Sequence, residues 1–231
     1  MNNEIIIEYL KEFVSSNRFS LFKRIVEERT RYVSVLIENV YQSHNASAII
    51  RTCEALGIQD LYVFERKNSF SPNDEIALGG DKWINIFKYN EQNHSFKTLI
   101  NDLKKKKYRI IATSLQPESK SIYDLDLKKG KTIFLFGTEI SGLSEEAISL
   151  ADESIKIPIF GFTESFNVSV SVGIILNYVA NELRKQNIPY HLTKEEKDEI
   201  LVSWLVQSIP YGSKILERFL KQHHLQKNIN K

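Results

Sequence analysis

Residues 132–179, TIFLFGTEISGLSEEAISLADESIKIPIFGFTESFNVSVSVGIILNYV, decide the fold. The apolar run 132–136 ends in Gly137-Thr138-Glu139, and a second short run, Ile155-Lys156-Ile157, ends in Pro158 and Gly161. A long apolar helix is then entered through Ser165-Phe166-Asn167. Apolar strands that run straight into glycine-rich loops point to a parallel α/β sheet, whose ligands bind beyond the carboxyl ends of the strands. Gly137 and Gly142 let the backbone turn sharply and expose N–H groups, while Glu139 between them supplies a carboxylate. Asn167 suits an N-cap, and Val168, Val170, Val172, Ile174, Ile175 and Tyr178 make the helix apolar nearly all round, fit for a core or a subunit interface. Spacing alone is equally compatible with plain turn glycines and a structural cap.

Upstream, the periodicity predicts a helix over 3–16 and a second from about Ser20 to Glu28. Tyr32 to Val40 reads as the first strand of the main body. It is followed by a helix that starts at about Asn45 and is stopped by Gly57, with Ala48, Ile49, Thr52, Ala55 and Leu56 as its buried stripe. Ser47, Arg51 and Glu54 fall on the opposite side, which offers Arg51 to solvent or ligand. His44 is a lone loop histidine, a residue more often structural than catalytic. Further strands are expected at Leu61–Phe64, near Ile84–Phe87 and at Arg109–Thr113, the last placing Thr113 and Ser114 at the ligand crevice. Between them Asn93 is expected to cap a helix ending in Lys104–Lys107, a run that looks like a nucleic-acid patch but is read as cations that complement a helix macrodipole. Downstream, Pro189 breaks the long helix, Thr193 with Glu196 forms a capping box, and a basic helix begins after Pro210 and Gly212.

The 231 residues, 42% of them hydrophobic, suffice for one large core with extensions. The single cysteine, Cys53, excludes an internal disulfide framework and a multi-cysteine zinc site, so a reducing compartment, the cytoplasm, is expected. No apolar run reaches membrane-span length, and no membrane or metal partner is expected. The net charge is only +2, yet Arg18, Lys23, Arg24, Arg29 and Arg31 crowd one end and Lys214, Arg218, Lys221, Lys227 and Lys231 the other. Such flanks suit a phosphate backbone as well as they suit solvated terminal helices.

Three ordered motifs then carry a resemblance: His44-Asn45-Ala46-Ser47-Ala48-Ile49-Ile50-Arg51, Phe136-Gly137-Thr138-Glu139-Ile140-Ser141-Gly142-Leu143, and Ile157-Pro158 followed by Ser165-Phe166-Asn167-Val168-Ser169-Val170. Together they resemble the SPOUT superfamily of methyltransferases, most closely its TrmH-type tRNA/rRNA ribose 2′-O-methyltransferases. The resemblance implies an α/β parallel-sheet fold with a C-terminal trefoil knot over 32–185, flanked by helical extensions at 1–31 and 186–231. It implies S-adenosylmethionine held by Thr113, Ser114, Gly137, Ile157 and Phe166, largely through backbone groups. Arg51 would act on the ribose 2′-hydroxyl or the adjacent phosphate, with Asn45, Glu139, Ser165 and Asn167 ordering the site. An arginine is a poor proton acceptor, so Arg51 is read as an orienting, charge-stabilising group and the base is left unassigned. The resemblance also implies a homodimer, and a tRNA substrate methylated at guanosine 18 of the D-loop, with rRNA or a silent RNA-binding module as alternatives. Phe166 departs from the family, where many members carry Leu.

Overall fold

A computed structural model describes residues 2–138 and 141–229. The chain divides into two compact units, Thr30–Tyr190 and the combination of Met1–Arg29 with His191–Lys231. In chain order the elements are α1 (Asn3–Leu10), α2 (Ser16–Glu27), β1 (Val33–Glu38), α3 (Ser43–Ala55), β2 (Asp60–Glu65), α4 (Asp74–Ala77), β3 (Asn85–Asn90), α5 (Phe96–Lys105), β4 (Arg109–Thr113), β5 (Lys120–Ser121), β6 (Thr132–Phe136), α6 (Glu145–Leu150), β7 (Glu153–Lys156), α7 (Val168–Lys185), α8 (Lys194–Ser208) and α9 (Gly212–Ile229).

All seven strands pair in parallel in the order β3-β2-β1-β6-β4-β7-β5. The chain winds outward from β1 to β3 and then continues on the other side of β1, so β1 and β6 mark the reversal. Alternation along the strands sorts the side chains onto two faces, as the pleat requires. Val33, Val35, Ile37, Phe134 and Phe136 meet α3 and α7 residues such as Ile49, Val172 and Ile175 on one face. Leu36, Tyr62, Ile133 and Leu135 meet Phe96, Leu99 and Ala147 of α5 and α6 on the other. Parallel β1–β6 pairing sets Ile37 beside Phe136, which brings the residues that follow each strand to the same edge.

Several local expectations change. The first α-helix stops at Leu10 and a 3-10 turn carries the chain on to Phe13; Ser15 then caps the second helix by accepting from the Arg18 N–H, so that it begins at Ser16. Ser95, not Asn93, caps α5. Helix α3 begins at Ser43 after Gln42, so Asn45 is helical rather than a cap and His44 lies in the first turn. Its buried face is Asn45, Ala46, Ser47, Ile49, Ile50 and Cys53. Ser47 turns inward because its hydroxyl donates to the Ser43 and Asn73 carbonyls and accepts from the Asn73 N–H. The strand expected to include Ile157 ends at Lys156. Helix α7 ends before Pro189, with Asn187 at a positive φ of 52°. Only Lys104 and Lys105 of the tetralysine lie in the last turn of α5, where they pair with Asp152 and Asp102.

The unit built from the two termini is helical, with α8 packed on α1, α2 and α9. Tyr9 stacks on Phe219 at 4.1 Å, and the buried Phe22 and Trp204 rings lie 5.7 Å apart. The Thr193–Glu196 capping box opens α8 as the sequence indicates.

Candidate active site

The carboxyl ends of β4, β6 and β7 lie side by side, and a cavity of about 480 Å³ opens beyond them. Thr113 and Ser114 enter it from β4, Gly137 from β6, and Ile157, Ser165 and Phe166 from the stretch that leads into α7. Six of the candidate residues named from the sequence therefore share one cavity. The Thr113 hydroxyl donates to the Leu135 carbonyl at 2.7 Å, and the Ser114 N–H donates to the Ile155 carbonyl at 2.9 Å, which fixes the β4 wall against its neighbours. Leu115, Gln116, Ser141, Ile159 and Ser171 also line the cavity. The first two were legible from their place just after Thr113-Ser114, whereas the others depend on how the loops fold.

The loop after β6 is closed on itself. Thr138 and Gly142 exchange backbone hydrogen bonds of 3.0 and 3.1 Å, and the Thr138 hydroxyl accepts from the Ser141 N–H at 3.0 Å. Gly142 has φ +66°, a region that favours glycine. Gly137 faces a stricter demand: a Cβ there would lie 2.0 Å from the Gly142 carbonyl carbon and oxygen. Glu139 lies outside the described residues.

Asn45 and Asn167 meet next to the start of α7. The Asn167 side-chain oxygen accepts from the Ser169 N–H at 2.9 Å and the Val170 N–H at 3.4 Å, capping the helix. Its side-chain NH2 donates to the Asn45 side-chain oxygen at 3.1 Å, and the Ser169 hydroxyl lies 3.3 Å from that same oxygen. One side chain thus starts α7 and ties it to α3. Neither asparagine lines the cavity. Arg51 stands on the exposed side of α3, where its guanidinium makes a long bond of 3.4 Å to the Ile76 carbonyl, and it too lies outside the cavity lining.

The basic residues of the termini fare unequally. Arg29 is 1% exposed and lies over the Trp204 ring. Arg31 pairs with Asp60 at 3.3 Å; burial pushes the Asp60 carboxyl up, and Arg31 opposes that shift. Both are engaged internally, so they leave the set available to a phosphate backbone. Arg18, Lys23, Arg24, Lys214, Arg218 and Lys221 are exposed. The side chain of Lys227, and Lys231, lie outside the described residues. Among the described residues no group of three or more His, Cys, Asp and Glu is placed to hold a metal ion, and no helix is long and apolar enough to cross a membrane.

Residues 32–177, which include the whole sheet and the cavity, match the model of the SpoU rRNA Methylase family. The chain is 37% identical to a tRNA (guanosine(18)-2′-O)-methyltransferase of Borreliella burgdorferi over 90% of this chain and 94% of the relative. It is 34% identical to the enzyme of the same name from Aquifex aeolicus over 89% and 95%. Among solved structures, the A. aeolicus TrmH/SpoU tRNA modifying enzyme superposes with a TM-score of 0.75 at 30% identity, covering 84% of this chain and 98% of that one. Since the match spans every strand that builds the cavity, this chain belongs to the SpoU methylase family.

Proposed function

We propose that this protein transfers a methyl group from S-adenosylmethionine to a ribose 2′-hydroxyl of tRNA, at guanosine 18 of the D-loop. The observation that carries this reading is the cavity at the ends of β4, β6 and β7, in a chain whose relatives at 37% and 34% identity bear that activity in their names. The residues present fit the cofactor. Leu115, Leu143, Ile157 and Phe166 offer apolar walls for an adenine ring, while Ser114, Thr138, Ser141 and the nearby backbone offer polar groups for a ribose and a carboxylate.

S-adenosylmethionine, when bound, supplies a methyl group already activated on a sulfonium. What remains for the chain is to align the nucleophile and to stabilise it as it loses its proton. Arg51 orients the 2′-oxygen or the adjacent phosphate through a permanent positive charge, with Asn45, Glu139, Ser165 and Asn167 ordering the surroundings. Because Arg51 lies outside the cavity lining, the ribose must bridge the two, or a second subunit must bring a cavity to it.

The second arrangement accords with a homodimer. Phe160 and Phe162 are 98% and 108% exposed, and Phe166 and Val170 extend the apolar surface onto α7. In this reading 32–185 is the catalytic body, the segment after β6 threads a trefoil knot, and 1–31 with 186–231 serve the RNA. The setting of β4 between the later strands β6 and β7 supports that threading. The enzyme works in the cytoplasm, where tRNA is found.

The test is to incubate purified protein with labelled cofactor and unmodified tRNA and to map the methylated nucleotides. Label at guanosine 18 is expected; label only in ribosomal RNA overturns the substrate assignment. Removing α9 would take Phe219 away from Tyr9, on which it stacks, and so disturb the helical core, which makes substitution of Lys214, Arg218 and Lys221 by Ser the cleaner probe of RNA binding. Each lost phosphate contact lowers affinity and flattens its salt dependence without changing cofactor binding.

A further inference from the structure

The last residue of β1, Glu38, is 2% exposed although it carries a carboxylate. Its two oxygens grip one residue across the sheet: Oε2 accepts from the Ser144 N–H at 2.9 Å and Oε1 from the Ser144 hydroxyl at 2.7 Å. Ser144 follows Leu143 directly and caps α6 by accepting from the Ala147 N–H at 3.1 Å. The loop from Gly137 to Leu143 therefore has two anchors. One is its covalent continuation from β6, and the other is the Glu38 carboxylate.

Arg66 balances the buried charge. Its Nε donates to Glu38 at 2.6 Å, and its two terminal nitrogens reach Glu91 at 2.7 Å and Glu146 at 2.6 Å. The guanidinium lies over the Phe64 and Phe96 rings at 5.2 and 5.1 Å, which fixes its plane. A single planar cation thus joins the ends of β1, β2 and β3 to the start of α6. The neighbouring Asn39, at φ +58°, accepts from the Lys67 and Asn68 N–H groups at 2.8 Å and holds the β2 end in place. A structure that needed only a stable sheet would not require a buried carboxylate here. An apolar side chain would avoid the desolvation cost.

We propose that Glu38 and Arg66 are positioning residues that set the geometry of the methyl-donor loop by holding Ser144, so that this pair tunes cofactor affinity without touching the cofactor. The inference rests on the proposed cofactor site. Gly137, Thr138, Ser141, Gly142 and Leu143 all line the cavity, whereas Glu38, Arg66 and Ser144 do not. Loss of one partner of a buried charged hydrogen bond costs enough to lower affinity about tenfold.

The variants Glu38→Gln, Arg66→Met and Ser144→Ala test this in the full chain, with S-adenosylhomocysteine and an unmodified tRNA transcript as probes. Calorimetry should show cofactor-product affinity falling about tenfold in each folded variant while tRNA affinity holds. Amide hydrogen exchange without ligand should quicken at residues 141–144 but not in β2 or α5. If Glu38→Gln does not fold, Arg66→Met and Ser144→Ala decide. Unchanged cofactor affinity in those two, or equal loss of cofactor and tRNA affinity together with faster exchange throughout, overturns the inference. An unsubstituted protein that fails to bind S-adenosylhomocysteine sinks the proposed function and this inference with it. Normal binding by the unsubstituted protein and by the variants sinks this inference alone.

Discussion

Two stretches border the same cavity and are built in opposite ways. The loop after β6 closes through the Thr138–Gly142 backbone pair, packs Gly137 against Gly142, and is gripped at its exit by Glu38. The stretch from Pro158 to Asn167 instead leaves every side chain from Phe160 onward exposed, three phenylalanines among them. A single chain completes the first stretch and leaves the second open. Exposed apolar surface of that kind marks a place where another surface belongs. The difference teaches that one border of the cavity is finished within one chain, whereas the other leaves apolar side chains uncovered.

The sharpest way to break that division is Arg51→Ala, since Arg51 is exposed and lies outside the cavity lining. Turnover on tRNA should fall about a hundredfold or more, while cofactor affinity and thermal midpoint stay at the unsubstituted values. Loss of cofactor binding in this variant would mean that Arg51 belongs to the closed side. Next in size is Gly137→Ala, which acts on the closed side only. Its Cβ would meet backbone that no rotamer change can move, so cofactor affinity should drop by tens of fold, read by calorimetry, with tRNA affinity retained. A variant that binds cofactor normally would show that the loop opens freely.

Smaller effects probe the open stretch. The pair Phe160→Ser and Phe162→Ser should shift sedimentation at micromolar concentration from about twice the chain mass of 26.8 kDa toward the single-chain mass. A sedimentation profile that does not respond places the dimer contact elsewhere. Smallest of all, Phe166→Leu keeps an apolar side chain at the cavity wall and should change cofactor affinity only a few-fold, because near-isovolumetric apolar swaps cost little.

Legibility from the sequence followed the range of the forces involved. Strand β4 was readable to the residue because RIIAT stands between a lysine run and polar residues, and the α8 capping box because its two members are three residues apart. The buried face of α3 was misjudged because Asn45 and Ser47 are polar, and only their partners Asn167, Ser43 and Asn73 show why they turn inward. Arg29 and Arg31 counted as free cations for the same reason: Trp204 and Asp60, which engage them, are remote in sequence. The cavity walls were largely legible, since strand ends and glycine loops announce themselves locally. Glu38 was not, because its meaning comes from Ser144, 106 residues further along.

The helical unit pairs the beginning of the chain with its end. Helices α1 and α2 pack on α8, which in turn packs on α9, and Thr30–Tyr190 lies between them in sequence. During synthesis the first helices therefore emerge long before the helix that covers their apolar faces. Phe22 lacks its Trp204 partner until α8 has left the ribosome. The unit therefore closes only once α8 has been made, and a chain cut short before it keeps Phe22 without its Trp204 partner.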